Sequence, residues 1–143
     1  MDLEQQQPEA TRPAANHGLS ARIAFRDVDW SAIPIAPGVY VIFDKDECVY
    51  VGMAGRNGKG NLRNRLRDHA SGQMVNMFAQ YLFLARVQFL PPERITHPRE
   101  AKAACRDYIA ELCSFQYRVA KDAAEARQFE SELKDKLKPA LNP

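Results

Sequence analysis

The chain has 143 residues, 45% of them hydrophobic, a length and composition that suit one domain with a real core. Its 20 basic and 18 acidic residues leave a net charge of +2, too mild to announce a nucleic-acid binder by overall charge. No apolar run approaches the roughly 18 residues that span a bilayer, and three cysteines without a C-x-x-C argue against a zinc site or a disulfide scaffold. Cys48, Cys105 and Cys113 therefore read as reduced core thiols. The N-terminal MDLEQQQPEATRPAANHG lacks a hydrophobic signal core, so a cytoplasmic protein is expected.

Residues 1–20 are polar and rich in Gln, Pro, Ala and Asn, which predicts a disordered tail ahead of one domain over 21–143. VYVIF (39–43) and CVYV (48–51) are β-branched and aromatic runs parted by the turn-like DKDE, the pattern of a hairpin. NLRNRLRDHA (61–70) is helical, with Leu62 and Leu66 one turn apart. QMVNMFAQYL continues with Met74, Met77, Phe78 and Tyr81 at helical spacing, and ARVQF (85–89) alternates like a strand. Pro98 suits a first helical turn, and the helix behind it carries the stripe Ala101, Ala104, Cys105, Tyr108, Leu112. FQYRVA (115–120) alternates as a strand. Asp122 with Glu125 forms a capping-box-like start for a last helix with Ala126, Phe129, Leu133 and Leu137, ending at Pro139. The expected class is α+β, with a small, mainly antiparallel sheet flanked by helices.

The candidates for chemistry gather around the hairpin. Directly opposed residues of a hairpin share a face. A three-residue loop at Asp44, Lys45 and Asp46 sets Tyr40 opposite Tyr50, whereas a two-residue loop sends them to opposite faces. Bringing both onto one face needs the odd loop or a bulge. On spacing alone, two ordinary strand aromatics are the simpler account of the pair.

Between Cys48 and Arg67 stand Arg56, Lys59, Arg63, Arg65 and Arg67 with no acidic residue, a local basic face despite the mild net charge. Guanidinium groups match phosphate oxygens through paired, charge-assisted bonds, although a solvated helix face has the same composition. Arg65 and His69 are one turn apart and border the Leu62/Leu66 stripe, while Arg63 and Arg67 line the opposite border. Gly52, Gly55, Gly58 and Gly60 crowd the approach to this helix. They do not fit G-x-x-x-x-G-K-[ST], because Gly52 and Gly58 enclose five residues and Gly60 replaces the hydroxyl residue. A surface turn or a close backbone approach to phosphate both explain them. Glu130 lies beside Phe129 at the margin of the last helix's apolar stripe, four before Lys134. It reads as an exposed ion pair or as the lone carboxylate that Mg²⁺ needs beside a phosphate. Asn142 in KPALNP reads by itself as polar decoration of the C-terminal stretch.

Taken together, these residues resemble the GIY-YIG nuclease family. Its first signature is matched by Gly38-Val39-Tyr40, its second by Tyr50-Val51-Gly52, its helix signature by NLRNRLRDH and its closing segment by FESELKDKLKPALNP. The resemblance covers about 37–143 and implies a metal-dependent DNA endonuclease. By that resemblance Arg65 is the catalytic arginine, His69 occupies a Tyr-or-His position, Glu130 holds one Mg²⁺ or Mn²⁺, and Asn142 orients the site or braces the C-terminus. Tyr40 aligns or deprotonates the attacking water, with Tyr50 and His69 tuning its hydroxyl. Gly52, Arg56, Lys59, Arg63 and Arg67 become phosphate contacts. Met53 stands where several relatives carry lysine, leaving Arg56 or Lys59 to supply that cation. The segment 83–112, a strand plus a helix, looks like an insertion in the minimal domain. DNA is the expected partner, with a homodimer or a separate specificity subunit to direct it. A non-catalytic nucleic-acid-binding module and a structure-specific RNase are the alternatives.

Overall fold

A computed structural model describes residues 17–73, 76–87 and 98–142. Among these, the elements are β1 (Ile23–Ala24), β2 (Gly38–Asp44), β3 (Glu47–Ala54), α1 (Leu62–Ala70), α2 (Met77–Ala85), α3 (Pro98–Leu112), β4 (Cys113–Val119) and α4 (Ala123–Leu137). Short 3-10 turns occupy Phe25–Asp27, Trp30–Ala32 and Arg56–Gly58. The strands form one sheet in the order β1-β4-β2-β3, antiparallel at every pairing. The α+β class with a small antiparallel sheet is thus as expected.

Both sheet faces are covered. Tyr40, Ile42, Tyr50 and Phe115 pack against Leu62 and Leu66 of α1, Phe78 and Leu82 of α2, and Cys105 and Ile109 of α3. On the opposite face Val39, Val41, Phe43 and Val51 meet Leu133, with Phe129 and Leu137 beside them, all from α4. This is why every residue of β2 is buried: its inner position leaves neither face to water. Burying each large apolar side chain contributes about 1.5–3 kcal/mol, so the two-sided sheet is the main source of stability. β3 lies at the sheet's edge, where side chains from both helical layers can meet.

Caps in the sequence set the helix starts. Asn61 Oδ1 accepts from Asn64 N–H, and Asn76 Oδ1 accepts from Ala79 N–H. At α4 the expected cap forms with one shift from the ideal box: Glu125 N–H donates to Asp122 Oδ1, and Glu125 Oε1 accepts from Lys121 N–H, one residue before the cap, each at 2.9 Å.

The hairpin reaches the expected shared face by its second route. The loop has two residues, since Asp44 pairs with Glu47, not three. A register shift between Ile42 and Phe43 then leaves Val49 as an extra residue, because Ile42 pairs with Tyr50 and Phe43 with Cys48. Tyr50 consequently shares its face with Ile42 and Tyr40. Tyr40 stands opposite Gly52, not Tyr50.

Other expectations need correction. The helical stretch after residue 61 is not continuous: α1 ends at Ala70, Gly72 turns the chain at φ 75°, and Asn76 starts α2. Met74 lies outside the described residues. ARVQF is not a strand as far as it is described. Ala85 is the last residue of α2, because Phe78, Ala79 and Leu82 are buried and hold the run as a helix. Arg86 follows as turn and Val87 as 3-10 helix, and 88–89 lie outside the described residues, so the described parts of 83–112 hold no strand. The predicted tail is also too long. Residues 1–16 lie outside the described residues, but Leu19 is buried and Ser20 N–H donates to Tyr117 O at 2.8 Å, so the domain begins before residue 21. The three cysteines are free thiols, with Cys105 and Cys113 buried, as read from the sequence.

Both signature glycines are packing requirements. A Cβ on Gly38 would lie 2.7 Å from Leu62 Cδ1 and would strike the Arg118 carbonyl. A Cβ on Gly52 would lie 2.5 Å from Tyr40 Cζ, inside the space that the phenol ring fills. Gly52→Ala should therefore cost about 1–3 kcal/mol in urea unfolding, because the fully buried Tyr40 ring must move. An unchanged midpoint would show that the ring does not depend on this gap.

Candidate active site

A cleft of about 440 Å³ opens at the β3 edge. Tyr40 and Tyr50 reach it from the sheet face under α1, and Arg65 reaches it from α1 itself. Glu130 enters from α4, the layer on the other side of the sheet. Gly52, Arg56 and Lys59 complete the part of the wall read from the sequence. Met53 also lines it and is buried, and Arg56 and Lys59 line the same cleft.

Behind the wall is an aromatic box. Tyr40 Oη and His69 Nε2 lie 2.6 Å apart, a buried hydrogen bond joining β2 to α1. The His69 ring meets Tyr50 edge-on at 5.7 Å between centroids and Phe78 edge-on at 5.3 Å. Edge-to-face contacts of this kind favour the quadrupoles of both rings and fix their planes. His69 is 0% exposed and does not line the cleft; it touches the site only through the tyrosines.

Burial governs the electrostatics. It is the main cause holding the His69 imidazole down at about 3, and the Arg65 charge adds to it, so His69 is neutral at physiological pH. Burial also pushes the Tyr40 phenol well above its ordinary range, with Arg65 the largest opposing influence. Tyr50 is raised for the same reason, again opposed by Arg65. Among the described residues of this chain, Arg65 is thus the main group favouring a phenolate, and His69 is not a second cation beside Tyr40. Arg65 is itself half-buried. Burial is the largest single influence on it and favours loss of its charge, but Tyr40, Tyr50 and Asp68 together outweigh that and hold its guanidinium more firmly protonated.

Glu130 has a side chain only 14% exposed, with Oε2 3.6 Å from Lys134 Nζ. It is therefore both the helix ion pair and the cleft carboxylate that the sequence offered as alternatives. Among the described residues no three His, Cys, Asp or Glu side chains cluster closely enough to cage a metal. The donor set fits a hard divalent cation that takes one carboxylate and completes its shell with water and substrate phosphate, as Mg²⁺ does. It does not fit zinc, which takes three or four nitrogen and sulfur ligands.

Three expected site residues lie elsewhere. Arg63 donates through Nε to Ile33 O at 2.9 Å and through Nη2 to Ser31 O at 3.1 Å, so it ties α1 to the preceding loop instead of facing phosphate. Arg67 is exposed on α1 and does not line the cleft. Asn142 accepts from Val51 N–H at 2.7 Å and donates to Val51 O at 3.0 Å, clamping the C-terminal stretch to β3. That is the bracing role named as one alternative for it.

Asn61, Asn64 and Asp68 line the cleft and were not read from the sequence. Asp68 lies one turn after Arg65, and Asn64 one turn before Asp68, so helical spacing from Arg65 could have found them.

No protein-family model matches the chain, and no curated protein matches it. Among solved structures, it is similar to the GIY-YIG N-terminal endonuclease domain of UvrC from Thermotoga maritima, bound to its catalytic divalent cation, magnesium. Identity is 23%, coverage is 80% of this chain and 91% of that one, and the TM-score is 0.43. Two tyrosine-to-phenylalanine point mutants of that domain, also bound to the divalent cation, match at 24% and 22% identity over 80% of this chain, and over 90% and 91% of theirs, each with a TM-score of 0.43.

The buried neutral imidazole predicts a pH dependence of stability. The unfolded chain takes up a proton on His69 near its ordinary 6.5, whereas the folded chain resists it to about 3. Stability should then fall as pH drops through that window. In urea unfolding across the window, the stability advantage of the wild type over His69→Gln should shrink as pH falls. Parallel curves would mean that His69 is not held neutral.

Proposed function

We propose that the chain is a GIY-YIG-type endonuclease that hydrolyses DNA phosphodiester bonds with one divalent cation. The observation that carries this reading is the convergence of Tyr40, Arg65 and Glu130, from three separate elements, on one cleft at the β3 edge. These are parts that phosphodiester hydrolysis requires: a group to align the nucleophile, a cation for the phosphate, and a carboxylate for a metal. The four ordered motifs agree with it.

Arg65 offers planar, fixed donors to the scissile phosphate and draws the charge that grows on its oxygens. Arg56 and Lys59, farther along the rim, hold the neighbouring backbone phosphates. Gly52 keeps the strand free of a side chain beside Tyr40. Tyr40 Oη aligns the attacking water and, as phenolate, takes its proton. Asp68, one turn on along α1, favours the charge on Arg65. Glu130 would hold the cation, which when bound neutralises the phosphate and the leaving 3′-oxygen and adds positive charge beside Tyr40.

One observation favours the non-catalytic alternative: burial outweighs Arg65 at Tyr40, so the chain by itself leaves the phenol protonated. The two readings part in a plasmid-nicking assay. The nuclease reading expects relaxed plasmid with Mg²⁺ and none with EDTA. Glu130→Ala should lose nicking by about 10³-fold or more while still retarding DNA in a gel, and Tyr40→Phe and Arg65→Ala should each lose about 10²-fold or more. Wild-type protein that binds DNA without nicking it would favour the module, and full activity in Glu130→Ala would remove the metal role from that residue.

A further inference from the structure

β3 is an edge strand, and its backbone groups alternate between β2 and that edge. Two sets of hydrogen bonds fix which residues face out. The Asn142 side chain takes both Val51 N–H and Val51 O, at 2.7 and 3.0 Å, so neither group turns toward β2. On the far side of β2, Ser20 N–H donates to Tyr117 O at 2.8 Å and Tyr117 N–H donates to Ser20 Oγ at 3.0 Å, so Tyr117 also turns away from β2. Tyr40 stands between Tyr117 and Gly52, and its own N–H and C=O are thereby left to Gly52. Both observations give the same alternation: Gly52 bonds to β2, while Val51 and Met53 face the edge. The register from Val41–Val51 to Gly38–Ala54 is unbroken, so the alternation reaches Met53 intact. Val51 has its donor and its acceptor in Asn142. Among the described residues, none accepts from Met53 N–H.

That N–H lies at the centre of the cleft. Arg65 lines the cleft from one layer and Glu130 from the other, so the cleft runs across the β3 edge, where Met53 lines it as well. A Cβ on Gly52 would strike Tyr40 Oη, which puts the phenol oxygen over the residue just before Met53. An open sheet edge takes either a strand of another chain or an anion. A strand needs several free residues in a row. Here Asn142 closes the edge at Val51, and Gly55, the next outward position, leaves the strand in the left-handed region at φ 102°. One residue is left open, enough for one phosphate oxygen. Arg56, Lys59 and Arg65 outnumber Asp68 and Glu130 in the same wall and favour an anion there.

We propose that the Met53 backbone N–H donates to a non-bridging oxygen of the DNA phosphate seated in the cleft, beside the donors of Arg65. The contact deepens the nuclease reading and rests on it. The Met53 side chain takes no part, because it packs away from the cleft with Ala126 and Phe129. A donor held by the sheet meets the phosphate without rearranging, whereas a side-chain donor must first be ordered.

Full-length ¹⁵N-labelled protein supplies the first test. In hydrogen exchange without DNA, the Met53 amide should exchange at least about tenfold faster than those of Val51 and Gly52, which Asn142 and β2 hold. A Met53 amide as protected as its neighbours overturns the proposal. A short DNA duplex added in EDTA, which prevents cleavage, should move the Met53 amide proton downfield and slow its exchange. DNA that binds and leaves this amide unmoved overturns the proposal too. Two variants then isolate the donor. Met53→Ala and Met53→Pro both remove the thioether, but only proline removes the N–H, and at an outward-facing edge position it breaks no ladder bond. In plasmid nicking with Mg²⁺, Met53→Pro should be slower than Met53→Ala by about tenfold or more. Equal rates in two folded variants overturn the contact, and if the proline variant fails to fold the wild-type spectra decide. If the wild type cuts no DNA but its Met53 amide responds to the duplex as expected, the nuclease reading fails and the phosphate contact stands.

Discussion

The buried hydrogen bond between Tyr40 and His69 is the constraint on which the rest of the site depends. It joins the central strand β2 to α1 at 2.6 Å, in a pocket closed to solvent. A buried polar group without a partner costs about 1–3 kcal/mol, so each residue commits the other to its place. Once Tyr40 is held, its ring needs the space above Gly52, and its oxygen falls at the base of the cleft. Once His69 is held, α1 is rotated so that Arg65, one turn earlier, faces the same cleft. Hydrogen bonding and packing thus fix two of the functional groups together.

The third comes from the other layer. Because β3 is an edge strand, α4 can send Glu130 around it while Phe129 and Leu133 remain in the core. The Asn142 clamp on Val51 ties the chain after α4 to the same strand. The site is therefore assembled across the sheet, with Tyr40 and Arg65 on one side and Glu130 on the other. The hairpin between them is bulged so that Tyr50 joins the first group. The low dielectric behind the tyrosines strengthens the influence of any charge on their cleft side, and it also favours the protonated form of both phenols.

Much of this was legible in the sequence, for physical reasons that differ by element. The hairpin and β4 show β-branched and aromatic runs, and α4 carries its own capping residues; these are local signals that tertiary structure did not override. Tyr40, Tyr50, Arg65 and Glu130 could be named because four weak motifs stood in one order. The break between α1 and α2 was less visible, since apolar residues at helical spacing run on past Gly72. ARVQF alternates like a strand, but its first residue completes a helix whose burial is decided by contacts far away in the chain. Arg63 and Arg65 look alike in NLRNRLRDH, and only the fold reveals that one binds backbone carbonyls and the other faces the cleft. Asn64 and Asp68 resemble a solvated helix face, and Asn76 stands inside what reads as a continuing helix, with no hint of its cap or its buried nitrogen.

The central claim is that groups from both layers of the sheet act on one phosphate at the β3 edge. A crystal of the protein with Mn²⁺ and a short DNA strand tests it most directly, through the anomalous signal of the metal. The account predicts a single manganese peak on Glu130, a phosphate held by Arg65, and Tyr40 Oη facing the phosphorus on the side away from the leaving oxygen. A manganese ion bound away from Glu130, or DNA seated on another surface with the cleft empty, would contradict it.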